Sequence, residues 1–418
     1  MRNVDTQPDI QMKRFRWIAI TPLLHILTIT PTFAQKTDRF MGETVNYDEA
    51  AVPSYTLPNV LLKANGQLVK NKKDWEKERR PEIVNLFKAN VYGQTPIDLD
   101  SATYVLTNKV ADAMGGKACL KEVAIHIWNK GKQVTVPLVL FVPNNMRKPA
   151  PVFLLINNRS KRNTDPTRAV KSTFWPAELL IEKGYAIAAF QVGDAAPDKK
   201  DAYQHGVLDQ LFPELLTQED GMKAIGAWAW TASRVMDYFE TDKDVDAHKV
   251  ALVGHSRGGK TSLWAGALDQ RFALIFSSCS GSTGASLARR RYGETVSLIN
   301  KQFGYWFANT YKQYSDRVDD LPVDQHMLIA LLAPRPVYTT NATEDRWADP
   351  PGSYLSLVNA LPVYKLYQRL VNIPTEPPPV NTPIINSFIG YHFRTGIHDL
   401  NLYDWENFVR FADHHFGR

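Results

Sequence analysis

The chain has 418 residues, two cysteines and a formal net charge of +6. That length suits one large α/β domain with additions, or two domains. The weak basic excess falls in short groups such as Arg79-Arg80 and Arg289-Arg290-Arg291, with no long basic stripe and no nucleic-acid-binding module. Cys119 and Cys279 lie far apart; they offer one disulfide at most, two free thiols being the alternative, and no zinc-ligand spacing.

Lys13, Arg14 and Arg16 precede an apolar run from Trp17 to Thr30, and Thr32-Phe33-Ala34 ends in a small residue. Residues 1–34 therefore read as a signal peptide cut after Ala34. Pro22, His25 and Pro31 interrupt the run, against a permanent membrane span. Asp5 and Asp9 are out of place in a basic leader and point to Met12 as the start. No cysteine stands at the cleavage site to carry a lipid. The expected location is secreted or periplasmic, with no stable span after cleavage.

Residues 35–100 read as an N-terminal extension packing on the core, punctuated by Pro53, Pro58, Pro81 and Pro96. Within it Asp74 to Tyr92 is an amphipathic helix, broken at Pro81, and Lys72 to Arg80 a solvated charged face. Residues 101–418 form the main domain. Val123–Trp128 and Val134–Val142 are strands by alternation, and Pro151–Ile156 and Tyr185–Phe190 are continuous apolar runs expected of strands buried on both faces. Phe174–Lys183 and Met222–Phe239 read as helices. Ala273–Phe276 and Pro336–Thr340 are further strands, and Tyr403–Phe416 a closing helix. Strands alternating with helices predict a mainly parallel central sheet with helices on both faces, a three-layer sandwich.

Gly254-His-Ser-Arg-Gly258 is a G-x-S-x-G pattern between a strand-like run (Val250–Val253) and a helical run (Thr261–Leu268). That context is what a nucleophile elbow requires, with Ser256 lifted off the sheet edge. The plain alternative is a serine that caps the helix. A serine needs a base, and in the α/β-hydrolase order the acid and then the histidine follow it. His398 lies in Thr395-Gly-Ile-His-Asp-Leu400, the loop before the closing helix, and is the first choice. His392, in the strand-like run Phe388–Arg394, is the second; His326 comes too early, and His414 and His415 read as surface residues. The acid is expected in Asn341–Pro350, as Asp345, with Asp349 and Glu344 as alternatives. Asp399, beside His398, reads as a cap or loop hydrogen-bonding residue.

These segments resemble the glucuronoyl esterases, carbohydrate esterase family 15, bacterial type, of the α/β-hydrolase fold. The resemblance rests on Trp228-Ala-Trp230, Arg234–Tyr238, Gly254–Lys260, Leu332–Pro336, Glu344–Pro350 and Arg394–Leu400, and it covers residues 80–418. It implies a serine esterase that cleaves the ester between (4-O-methyl)glucuronic acid of glucuronoxylan and lignin-type or methyl alcohols, with no cofactor or metal. Arg257 is implied as the oxyanion partner, by its backbone N–H and its guanidinium. Lys260, Glu294, Trp347 and Gln302 are implied as uronate contacts. The plain alternatives are a surface ion pair for Arg257, a solvated Lys260, loop packing for Trp347, and pairing with the neighbouring arginines for Glu294. One departure stands out. Many members take the acid from the loop that here reads Ser277-Ser-Cys-Ser-Gly281, with Cys279 near the carboxylate position. A thiol stabilises an imidazolium poorly, which moves the expectation to Asp345. The rival readings are an acetylxylan or feruloyl-type esterase, and a non-catalytic carbohydrate-binding protein on the same fold.

Overall fold

A computed structural model describes residues 38–146 and 148–418; the expected leader, 1–34, lies outside the described residues. The first element is a hairpin of β1 (Asp38–Phe40) and β2 (Glu43–Val45). Its turn residues Met41 and Gly42 have φ of 50° and 85°, the left-handed pair that matches strand twist in two-residue hairpins.

The helical run expected from Asp74 to Tyr92 forms, but it does not break. It passes from α1 (Lys72–Asp74) through a π turn (Trp75–Arg79) into α2 (Arg80–Phe87) and a second π turn (Lys88–Tyr92). Pro81 stands in the first turn of α2. The bond from Arg80 N to Trp75 O spans five residues and widens the backbone there. An α turn would press the proline ring on the carbonyl four residues back. Arg79, expected in a solvated face, is instead buried, donating to Val60 O at 3.1 Å and to Glu82 at 3.1 Å.

The sheet begins with an antiparallel meander, β3 (Ser101–Ala113), β4 (Ala118–Asn129) and β5 (Lys132–Pro143). Then come β6 (Ala150–Asn157), α3 (Ala177–Glu182), β7 (Ala186–Gln191), α4 (Val192–Ala195), α5 (Ala224–Phe239) and β8 (Val245–His255). After them follow α6 (Arg257–Leu268), β9 (Leu274–Ser278), α7 (Val296–Phe303) and α8 (Gln325–Ala330). The chain closes with β10 (Val337–Ala342), α9 (Pro350–Leu366), β11 (Ile389–Arg394) and α10 (Leu402–Phe416). Among the described residues this sheet has nine strands, in the order β11-β10-β9-β8-β6-β7-β5-β4-β3. β6 to β11 pair in parallel, and the meander joins them antiparallel through β5 and β7.

Alternation along the central strands makes the three layers. Val152, Leu154 and Ile156 of β6 point into a core with Trp228 of α5 and Trp264 of α6. Phe153 and Leu155 point the other way, into a core with Trp175, Leu180 of α3 and Trp405 of α10. Both faces of β6 are therefore buried, which is why its sequence is apolar throughout. The 72–92 run packs on the first core: Tyr92 stacks on Trp264 with ring centroids 4.6 Å apart. The segment ahead of the sheet thus braces α6, the helix that follows Ser256.

Candidate active site

β8 ends at His255 and α6 begins at Arg257, so Ser256 alone makes the turn. Its φ of 56° and ψ of −126° lie where a residue with a side chain is strained. Its amide donates to Ser278 O on β9 at 2.8 Å, and its carbonyl accepts from Gly259 N at 2.8 Å. Gly254 is required sterically, because a Cβ there would sit 1.9 Å from Gly258 O. Ser256 holds the N-cap position of α6, yet its side chain makes no capping bond.

His398 follows β11 in the loop before α10, and its side chain is 38% exposed. Its Nδ1 lies 2.6 Å from Oδ2 of Asp345, a buried residue just after β10. With that carboxylate ionised, Nδ1 carries the proton and Nε2 is left as the acceptor. The other acids are engaged elsewhere or face solvent. Asp349 accepts from Arg290 Nε at 2.9 Å and from the Gly352 amide at 3.0 Å. Glu344 is exposed, and Asp399 accepts from Arg159 at 2.6 Å. His255 packs behind the pair, its ring centroid 4.6 Å from that of His398. Burial, and then the neighbouring His398, hold its pKa well below the usual histidine value, so it adds no competing cation.

Cys119 and Cys279 are both free thiols. Sγ of Cys279, a carboxylate oxygen of Asp345 and a ring nitrogen of His398 all lie within 4.8 Å of one another. This trio is the grouping of potential metal ligands found among the described residues. Burial pushes the Cys279 thiol well above its ordinary range, and a protonated thiol is a poor ligand. The thiol therefore stands beside the imidazole–carboxylate pair without carrying charge. Cys279→Ala is expected to keep most of the ester turnover, measured as kcat/KM.

His392, the second choice for the base, is fully buried on β11 between Tyr338 Oη (3.0 Å) and Asp404 Oδ1 (2.8 Å). Beside it Arg394 Nε donates to both oxygens of Asp404 at 3.0 Å, and its terminal nitrogens donate to Asp399 O (2.6 Å) and Ile397 O (3.2 Å). These two carbonyls flank His398. A buried guanidinium thus shapes the loop that presents the imidazole, while Asp404 anchors it to α10. Arg394→Met leaves Asp404 without its cation; it is expected to cost about 3–5 kcal/mol in urea unfolding and to lower kcat. His326 is turned away from the site, its Nε2–H donating to Pro58 O at 2.9 Å. His415 is less exposed than expected: it packs on Phe411 with centroids 4.4 Å apart and bonds Ser387 O at 3.0 Å.

The Arg257 guanidinium pairs through Nε with Asp198 Oδ2 and bonds Asn158 O at 3.3 Å. The other oxygen of Asp198 accepts from Tyr305 Oη and Trp306 Nε1, both at 2.8 Å. Sequence reading missed Asp198, although its place beyond the carboxyl end of β7, on the rim that carries Ser256, was a usable signal. Lys260 is 2% exposed, and all three of its N–H bonds are engaged, with Ser280 O (2.7 Å), Ser282 O and Glu294 Oε2 (2.6 Å). The expected donation to a sugar hydroxyl would require breaking one of these. Burial draws the pair toward neutrality, raising the Glu294 pKa and lowering that of Lys260. The arginines near Glu294 are held by other acids: Arg289 by Asp324, Arg290 by Asp349 and Glu49. Trp347 is half-buried, its carbonyl accepts from Glu294 N at 2.9 Å, and Phe40 of β1 packs on its ring at 4.0 Å. Gln302 lies half-buried on α7.

The family model described as "Glucuronyl esterase, fungi" matches residues 125–368. The chain is 41% identical over 404 residues to carbohydrate esterase MZ0003 from an unknown prokaryotic organism, covering 88% of this chain and 92% of that protein.

The chain belongs to the glucuronoyl esterases of carbohydrate esterase family 15.

The esterase is also 28% identical over 335 residues to a 4-O-methyl-glucuronoyl methylesterase of Schizophyllum commune, covering 76% of this chain and 75% of that one. Among solved structures, a glucuronoyl esterase from Solibacter usitatus superposes with a TM-score of 0.82 at 36% identity, over 88% of this chain and all of that one. A CE15 esterase from a marine bacterial metagenome, described as promiscuous, superposes at 0.81 with 40% identity, over 89% of this chain and all of that one. The protein is accordingly a carboxylic ester hydrolase on the α/β-hydrolase fold. Among the described residues no helix is long and apolar enough to cross a membrane.

Proposed function

We propose that this esterase cleaves the ester between (4-O-methyl)glucuronic acid of glucuronoxylan and a lignin-type or methyl alcohol, with Ser256 as nucleophile, His398 as base and Asp345 as acid. The observation that carries the reading is the 2.6 Å contact of His398 with Asp345, made on the sheet rim where the elbow presents Ser256. His398 Nε2 takes the Ser256 proton as Oγ attacks the ester carbonyl. The carbonyl oxygen becomes an oxyanion, met by the Arg257 backbone N–H and guanidinium. One such donor is worth about 3–4 kcal/mol in the transition state. The C–O bond to the alcohol then breaks, and His398 returns its proton to the leaving oxygen. Water attacks the acyl-enzyme by the same route in reverse, freeing the uronic acid and Ser256.

Asp198 holds the Arg257 side chain in this scheme, and Lys260 acts through Glu294 and the 280–282 backbone rather than by touching the sugar. Glu294, Trp347 and Gln302 remain the proposed uronate contacts. Residues 1–34 are proposed as a leader that sends the enzyme to the periplasm or outside the cell, where glucuronoxylan is met. Residues 35–100 are proposed as an extension bracing the catalytic domain, 101–418. Assaying glucuronate methyl ester and acetylated xylan side by side tests the substrate class. Turnover of the uronate ester is expected; release of acetate alone would overturn the reading.

A further inference from the structure

Beside α7 lies a cavity of about 250 Å³ lined by Lys200, Lys223, Lys301, Lys312, Tyr203 and Tyr305, with no carboxylate in its wall among the described residues. Lys223 is 7% exposed. Its ammonium has a neutral partner, Asn309 Oδ1 at 2.5 Å, and Lys312 Nζ converges on the same oxygen at 2.8 Å. Two cations thus share one amide oxygen. Lys301 pairs outward with Glu43 of β2. Burial, and then the charge of Lys312, pull the Lys223 pKa down to about 8, and the charge of Glu219, the smallest of the three influences, opposes them. A buried ammonium ordinarily has a counter-charge, because its desolvation is otherwise uncompensated.

The cavity adjoins the catalytic rim. Tyr305, which lines it, donates its hydroxyl to Asp198, the carboxylate that holds Arg257. The Tyr203 and Tyr305 rings lie 5.9 Å apart and give it an aromatic wall. Gln302, a proposed uronate contact, sits on α7 next to Lys301.

We infer that this cavity is a second anion subsite, which takes a free, unesterified uronate carboxylate on the same polysaccharide chain while the esterified uronate lies at Ser256. The carboxylate supplies the contacting counter-charge that, among the described residues, no acid offers Lys223 or Lys312, and the tyrosines face its sugar ring. The inference rests on the proposed substrate class and extends it from one uronate to an acidic chain.

Two arms test it. In the first, Lys312→Met and Lys223→Met are compared with the parent on benzyl glucuronate, which has no second carboxylate, and on partly methyl-esterified glucuronoxylan, which has many. Each variant is expected to raise KM on the xylan about tenfold, with kcat and the benzyl glucuronate KM unchanged. Lys312 is exposed, so its replacement keeps the test valid if Lys223→Met fails to fold. Equal shifts on both substrates, or on neither, would overturn the subsite. The second arm needs no turnover: calorimetric titration of the Ser256→Ala protein with sodium sulfate, with and without Lys312→Met. Sulfate binding that disappears with Lys312 is expected; binding that ignores Lys312 overturns the subsite even if uronate esters are the substrate. Displacement of sulfate by xylan-borne uronate should exceed that by free glucuronate. Equal displacement would assign the site to a detached anion and overturn the chain reading. An absence of all uronate-ester turnover would instead sink the substrate class, leaving the second arm to decide the anion site alone.

Discussion

Ser256→Ala is expected to lower kcat on benzyl glucuronate by about 10⁶-fold, the scale seen when a serine hydrolase loses its nucleophile. The same change should leave unfolding within about 0.5 kcal/mol of the parent. Both halves follow from the elbow. The side chain makes no capping bond to α6, so removing Oγ takes nothing from the helix. The backbone bonds to Ser278 O and Gly259 N, and the strained φ of 56°, are unaffected by the loss of one oxygen. A serine that merely capped a helix would behave in the opposite way, with stability lost by about 1 kcal/mol and turnover retained. Measuring kcat and the urea midpoint on one preparation therefore separates the two roles, and retained turnover would remove Ser256 from the chemistry.

Asp345→Asn is expected to lower kcat by about 10⁴-fold, as when the orienting acid of a serine–histidine pair becomes an amide. The carboxylate accepts from Nδ1 at 2.6 Å, which fixes the tautomer with Nε2 free. An amide of the same shape can offer an N–H to Nδ1 instead, placing the imidazole proton on Nε2, where it blocks proton transfer from the serine. It also removes the charge that stabilises the imidazolium. The comparison with Cys279→Ala is decisive, because both side chains lie within 4.8 Å of the same imidazole. A large loss with Cys279→Ala and a small one with Asp345→Asn would exchange their roles. Asp349→Asn is no substitute control for catalysis, since that carboxylate holds Arg290 and the start of α9.

The strands were legible because burial on one face or both leaves a periodic or continuous apolar signature. The runs at 151–156, 185–190, 250–253 and 336–340 all fall within observed strands or within one residue of them. The run to Tyr92 was legible as a helix but not as an unbroken one, because the π turns that admit Pro81 depend on hydrogen-bond register. The places of Ser256 and His398 in the fold were legible from local context, a tight turn after a strand and a glycine-containing loop before the last helix. The buried polar pairings around them were not. Asp198 meets Arg257 across 59 residues, Asp404 meets Arg394 and His392 inside the fold, and Lys260 turns inward to Glu294 although a helical lysine ordinarily faces water. Each is a polar residue whose burial is decided by a partner from elsewhere in the chain.

By itself the amino-acid order determined the layer architecture, the position of the elbow and the family, because these follow from periodicity and from contiguous motifs. Only the tertiary structure decided which of Asp345, Asp349 and Glu344 meets the imidazole, that Lys260 is fully engaged, and that two lysines share one amide oxygen beside the rim. The reason is physical: hydrophobic patterning is local and repeats along the chain, whereas the pairing of buried charges is set by distances that exist only after the chain has folded.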